Sequence, residues 1–67
     1  MTFAPITTTD ALRAALPTMS TEQLLDEMKH AFGYHGNAVQ NAQPERVDDS
    51  IERFNAIRMQ LAERLAA

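Results

Sequence analysis

Two apolar seams, one on each side of Pro44, set the limits on what this chain can fold into. Before the proline, Leu25, Met28, Phe32, His35, Val39 and Ala42 recur in steps of three and four residues. After it, Val47, Ile51, Phe54, Ile57, Leu61 and Leu65 do the same. That spacing puts each set on one face of an α-helix. Pro44 suits the first position of a helix, where its missing N–H costs nothing. The two helices they imply are about 22 residues each, roughly 33 Å at 1.5 Å per residue. A tight link between matched helices predicts an antiparallel hairpin whose facing positions sum to about 85 or 86. Large residues then meet large residues: Val39 with Val47, His35 with Ile51, Phe32 with Phe54, Met28 with Ile57, Leu25 with Leu61.

Start and stop signals give the element bounds. Ser20-Thr21-Glu22-Gln23 is a capping box, with Met19 and Leu24 placed as a hydrophobic staple. The helix it opens is expected over 20–41. Gly33 and Gly36 each cost roughly 1 kcal/mol relative to Ala in a helix interior, so residues 33–36 are where this helix either kinks or runs on continuously. The last helix is expected over 44–66, with its acids early and its arginines late, as the macrodipole favours. A short helix is expected over 9–16, capped by Thr8 or Thr9 and stopped by Pro17. Residues 1–8 read as an extended arm whose Phe3 and Ile6 can dock on the core. The expected fold is all-α: one small domain over 1–67, a short N-terminal helix plus an antiparallel hairpin.

A 67-residue chain is marginal as a lone monomer, and small scaffolds usually add disulfides, a metal or a partner chain. With no Cys, disulfides and thiolate metal sites are excluded. Eleven of the apolar residues are Ala and there is no Trp, which leaves little bulk for one core. Met59, Ala62 and Ala66 form a second, thinner stripe off the main seam. The expectation is therefore a homodimer that makes a four-helix bundle. The alternative is a monomer whose arm and short helix cover the spare surface. No apolar run approaches the length of a membrane span. The N-terminus has no basic region followed by an apolar stretch, so no signal peptide is expected and a cytoplasmic location is. The net charge of −3 comes without any block of like charge, which disfavours a nucleic-acid-binding tail.

Catalytic and metal motifs are weak. Glu27-x-x-His30 has the spacing of the ligand pair in di-iron bundles, but one pair is too few, and both residues fall off the seam, on an expected solvated face. His30 and His35 are five apart, not the i, i+4 of helical zinc ligands. No nucleophile–base pair, P-loop or GxGxxG is present, so no enzyme, cofactor or metal is expected. The densest chemistry is Phe32-Gly33-Tyr34-His35-Gly36-Asn37. It reads either as a recognition patch, with Tyr34 as its exposed anchor, or as plain helix with Phe32 in the core. His35 reads as a ligand-contacting, pH-sensitive residue, or as a core-edge His bonded to a carboxylate or to Ser50. Arg58 falls on the apolar side near Glu27 and is expected to snorkel and pair with it. Arg46, Arg53, Arg58 and Arg64 do not share one face.

In size and architecture the chain resembles ROP-like helical hairpins, which dimerise into four-helix bundles. No motif is shared, so the resemblance implies no residue role. The expected function is a small non-catalytic, protein-binding regulator of a larger protein: an inhibitor, adaptor or antagonist. Its expected contact residues are His30, Tyr34, His35, Asn37, Arg58 and Met59. Short, acidic, cysteine-free helical chains suggest a phage or plasmid accessory protein by association alone. The alternatives are an oligomer that sequesters a nucleotide or other small ligand, and a ROP-like nucleic-acid-binding dimer.

Overall fold

The computed structural model describes residues 8–66. They form three helices, α1 (Thr9–Ala15), α2 (Thr21–Gln40) and α3 (Pro44–Ala66), with a 3-10 turn over Leu16–Thr18 between α1 and α2. No strand occurs among the described residues. Of the arm expected over 1–8, all but Thr8 lies outside the described residues.

Local chemistry sets each boundary. The Thr8 hydroxyl accepts from the Ala11 N–H and caps α1. Pro17 falls in the 3-10 turn, which redirects the chain. At the start of α2, Ser20 Oγ accepts from the Gln23 N–H at 3.1 Å and Gln23 Oε1 accepts from the Ser20 N–H at 2.9 Å. Two orphan donors of the first turn are thus satisfied reciprocally.

The end of α2 corrects one expectation. Ala42 is not on the seam. It follows the C-cap Asn41 with φ 52, in the left-handed region. The Gln43 N–H bonds to the Ala38 carbonyl at 2.9 Å and the Ala42 N–H to the Val39 carbonyl at 3.1 Å. This is a Schellman turn, built with Ala where glycine would carry no steric cost. The Asn41 side chain adds a bond to the Asn37 carbonyl.

Of the two courses open at 33–36 the continuous one is found: α2 runs unbroken through Gly33 and Gly36, both without positive φ. A Cβ added at either glycine would meet nothing within 4 Å. Neither glycine serves a close approach within the chain. Capping at both ends and packing on α3 outweigh their propensity cost.

Packing departs from the expected seam by one residue on α2. The buried positions are Leu24, Glu27, Ala31 and Ala38, whereas Leu25, Phe32 and Val39 are more than half exposed. On α3, Ile57 and Ser50 are buried and Phe54 is half-buried. The apolar core is Leu12, Leu16, Met19, Leu24 and Ile57, flanked by Ala15, Met28, Ala56 and Leu61. It sits where α1 and the 3-10 turn cover one end of the α2–α3 layer. Towards Pro44 the helices meet through small residues, Ala31, Ala38 and Ser50. Cross-helix contacts step down one helix as they climb the other: Thr21 with Arg64, Phe32 with Phe54, His35 with Ser50, Tyr34 with Asp49.

Why α2 rotates is visible in the chemistry. Leu24 inserts between Ile57 and the leucines of α1, and this α1 contact is what a two-helix reading leaves out. Turning Leu24 inward turns its neighbour Leu25 outward by about 100°. Phe32 and Val39 follow it at seven-residue spacing.

Candidate interaction surface

The position of α1 divides the α2–α3 layer into two unlike sides. On one side α1 is held by polar contacts to α3. Thr9 Oγ1 donates to Asp49 Oδ1 and accepts from Arg53 Nε at 3.0 Å. Arg13 pairs with Glu52. Tyr34 joins the same cluster: its hydroxyl donates to Asp49 Oδ2 at 3.0 Å. The guanidinium carbons of Arg46 and Arg53 lie 5.0 and 5.4 Å from its ring centroid, within cation–π range. The Thr9 hydroxyl bond, helped by Tyr34 and Arg53 against the opposing cost of burial, holds the Asp49 carboxyl below its ordinary pKa. Tyr34 is therefore half-buried and engaged, which overturns its reading as an exposed anchor off the core.

The other side carries no covering element among the described residues. Leu25, Phe32 and Val39 of α2 and Ile51, Arg58 and Leu65 of α3 are exposed along it, while Met28, His35, Val47, Phe54 and Leu61 are half-buried beneath them, Met28 and Leu61 against the core. Phe32 is 59% exposed. Its ring meets that of Phe54 at 5.0 Å and 54°, a tilted pair of the favoured kind. Ala31, Phe32, His35, Ser50, Ile51 and Phe54 line a shallow cleft of about 150 Å³.

His35 stands at the floor of this cleft, in the core-edge role with Ser50 as partner: Nδ1 to Ser50 Oγ is 3.0 Å. Ser50 spends its own proton on the Val47 carbonyl at 2.7 Å. The proton of the His35–Ser50 bond must then sit on Nδ1, which fixes the tautomer of the neutral ring with Nε2 as acceptor.

The remaining candidates scatter. His30 Nε2 lies 3.3 Å from Asp26 Oδ2, close but not aligned for a hydrogen bond. Glu27 is 4% exposed, not on a solvated face as expected. Asn37 is exposed and serves the α2 C-terminus through its carbonyl, which accepts from Asn41. Met59 is exposed with Ala62 and Ala66 on the outer side of α3. Arg58 is exposed and forms no ion pair among the described residues, so the expected pair with Glu27 is not made.

Of Arg46, Arg53, Arg58 and Arg64, three are used inside the fold. Arg46 bonds Gln43 Oε1 at 2.6 Å, and Arg53 pairs with Asp49. Arg64 donates to the Leu16 and Met19 carbonyls and to Thr21 Oγ1, closing the exposed end of the 3-10 turn. Among the described residues no group of three or more His, Cys, Asp or Glu is placed to hold a metal ion. No described helix is long and apolar enough to cross a membrane.

What sequence reasoning missed is that seam residues themselves form the open surface: Leu25, Phe32, Val39, Ile51 and Leu65. The signal was present in the surplus of large residues over what a two-helix contact can bury. No protein-family model, curated protein or solved structure matches the chain.

Proposed function

We propose that α2 and α3 form an antiparallel helical hairpin whose open apolar face is a docking surface. The chain then acts without catalysis, as a small cytoplasmic protein-binding regulator. The observation that carries this reading is the exposure of Leu25, Phe32, Val39, Ile51 and Leu65 together on one side. Scattered exposed apolar residues are ordinary; a contiguous patch of several hundred Å² marks an interaction site. Amphipathic helix faces are a common recognition mode in which anchors at i, i+3/i+4 and i+7 fill a partner's groove.

The other readings draw less support. The cleft beside Phe32 is smaller than the ~300 Å³ at which small-molecule pockets begin, and in the larger clefts of about 410 and 480 Å³ the carboxylates of Asp48, Asp49 and Glu52 oppose a phosphate while Arg13 and Arg53 are paired with them. Nucleic-acid binding needs free guanidinium groups, and Arg46, Arg53 and Arg64 are engaged within the chain.

A photocrosslinking comparison tests the proposal. The chain has no native Cys, so Phe32→Cys and Glu63→Cys can each carry a single benzophenone, one on the open face and one away from it. The expected result is protein adducts from position 32 and few from position 63. Equal yields at both positions would refute the docking face.

A further inference from the structure

We propose that the occupant of this face is a second copy of the same chain. The two copies are related by a two-fold axis that crosses α2 and α3 at the Phe32–Phe54 ring pair. This rests on the reading of the face as a docking surface.

The first argument is the symmetry of the pattern. A self-associating interface with two-fold symmetry must be complementary to itself: where residue i meets j, j meets i. On α2, Leu25 and Val39 lie seven residues to either side of Phe32. On α3, Val47 and Leu61 lie seven residues to either side of Phe54. Seven residues is about 10.5 Å of helix. The two centres are themselves in contact, ring to ring, so both patterns share one midpoint. An axis through that midpoint, perpendicular to the helices, lays α2 antiparallel on α2 of the second copy and α3 on α3. Phe32 then meets Phe32 and Phe54 meets Phe54. Leu25 meets Val39, Val47 meets Leu61, and Met28 meets His35. The pattern thus sets apolar residues at equal distances on both sides of the axis on both helices, as a self-complementary face requires.

The second argument is charge. Arg58 and Asp48 are both exposed, and neither has an ion-pair or hydrogen-bonding side-chain partner among the described residues. Under this axis α3 positions that face each other sum to about 108, at the 1.5 Å rise of antiparallel helices. Arg58 therefore falls within one turn of Asp48 of the second copy, at the rim, where its aliphatic stem covers Ile51 and its head reaches the carboxylate.

The third argument is area. Leu25, Phe32, Val39, Ile51 and Leu65 expose roughly 500 Å² of apolar surface, matching the apolar share of the ~800 Å² that each partner buries in a standard interface.

Sedimentation equilibrium over a dilution series is the first test, with twice the chain mass expected at the concentrated end. Arg58→Asp is expected to raise the dissociation constant about ten-fold, and adding Asp48→Arg to restore it. Register is tested with single-cysteine variants mixed in pairs and oxidised. Leu25→Cys mixed with Val39→Cys is expected to give crosslinked dimer, and Leu25→Cys mixed with Leu61→Cys little. The reverse preference would place the axis along the helices and overturn the proposed symmetry. A chain that stays monomeric while the benzophenone at position 32 labels a different protein would overturn the second copy and leave the docking face standing. A monomer with no preferential labelling at position 32 would remove both.

Discussion

Adjacent leucines give the most direct measure of how α2 is turned. Leu24 is 0% exposed and Leu25 is 54% exposed. Leu24 packs against Leu12, Leu16, Met19 and Ile57, so Leu24→Ala empties a site bounded by three elements. Large-to-small substitutions of this kind cost about 2–5 kcal/mol, and the cost rises with the cavity that remains. A chain of this length is expected to have only about 3–10 kcal/mol in total. Leu24→Ala should therefore remove a large part of the folding free energy at any protein concentration. Leu25 buries less than half of its surface within the chain. With full burial of Leu worth about 1.5–3 kcal/mol and the Cβ retained, Leu25→Ala should cost less than about 1 kcal/mol in dilute solution. If the face pairs with a second copy, that cost should grow as concentration rises, because binding to the native state adds stability by mass action. Urea denaturation followed by helical circular dichroism, at a low and a high protein concentration, reads both effects. The reasoning fails if the two variants are equally damaging in dilute solution, since that is what the unrotated seam requires.

Other outcomes follow from particular contacts. Ala42→Gly should stabilise by about 1 kcal/mol, because the left-handed residue of the Schellman turn then carries no Cβ strain; a lower melting temperature would contradict the positive φ. Gly33→Ala should also stabilise, by about 0.5–1 kcal/mol, since the added methyl meets open space in an uninterrupted helix; destabilisation would point to a break there. Ser20→Ala should cost about 1 kcal/mol through loss of the capping box, seen as a melting temperature lower by roughly 4–8 °C. Asp49 has a folded pKa below its unfolded value, so the stability it contributes is present above about pH 4 and is lost as pH falls through the folded value. Asp49→Asn should flatten that acid limb, and Tyr34→Phe, which removes one donor to the carboxylate and costs about 1 kcal/mol, should reduce it. An unchanged limb in both would show that the clamp on α1 is not held by that charge.

How much of this was legible from the residues depends on whether a signal was local or shared between elements. The Ser20 capping box, the Pro17 stop and the Pro44 start are local, because each acts on backbone groups within one turn. The side of α2 that faces α3 is not local. Leu24 and Leu25 are the same residue type one position apart, and the 3-4 spacing of Leu25, Met28, Phe32 and Val39 is a better helical stripe than Leu24, Glu27, Ala31 and Ala38. The better stripe is exposed and the poorer one is buried, because small residues at 31, 38 and 50 let the helix backbones close and α1 and the 3-10 turn supply Leu12 and Leu16 to receive Leu24. Tyr34 was misplaced for the same reason: with α2 rotated it points towards Asp49, where its hydroxyl has a use, rather than to solvent. The strongly apolar stripe thus stays largely uncovered among the described residues. A seam of that regularity left on the surface is the same evidence, read twice. It marks a helix-packing pattern in the sequence, and in the structure it leaves Leu25, Phe32 and Val39 more than half exposed, which is the ground for the second copy proposed above.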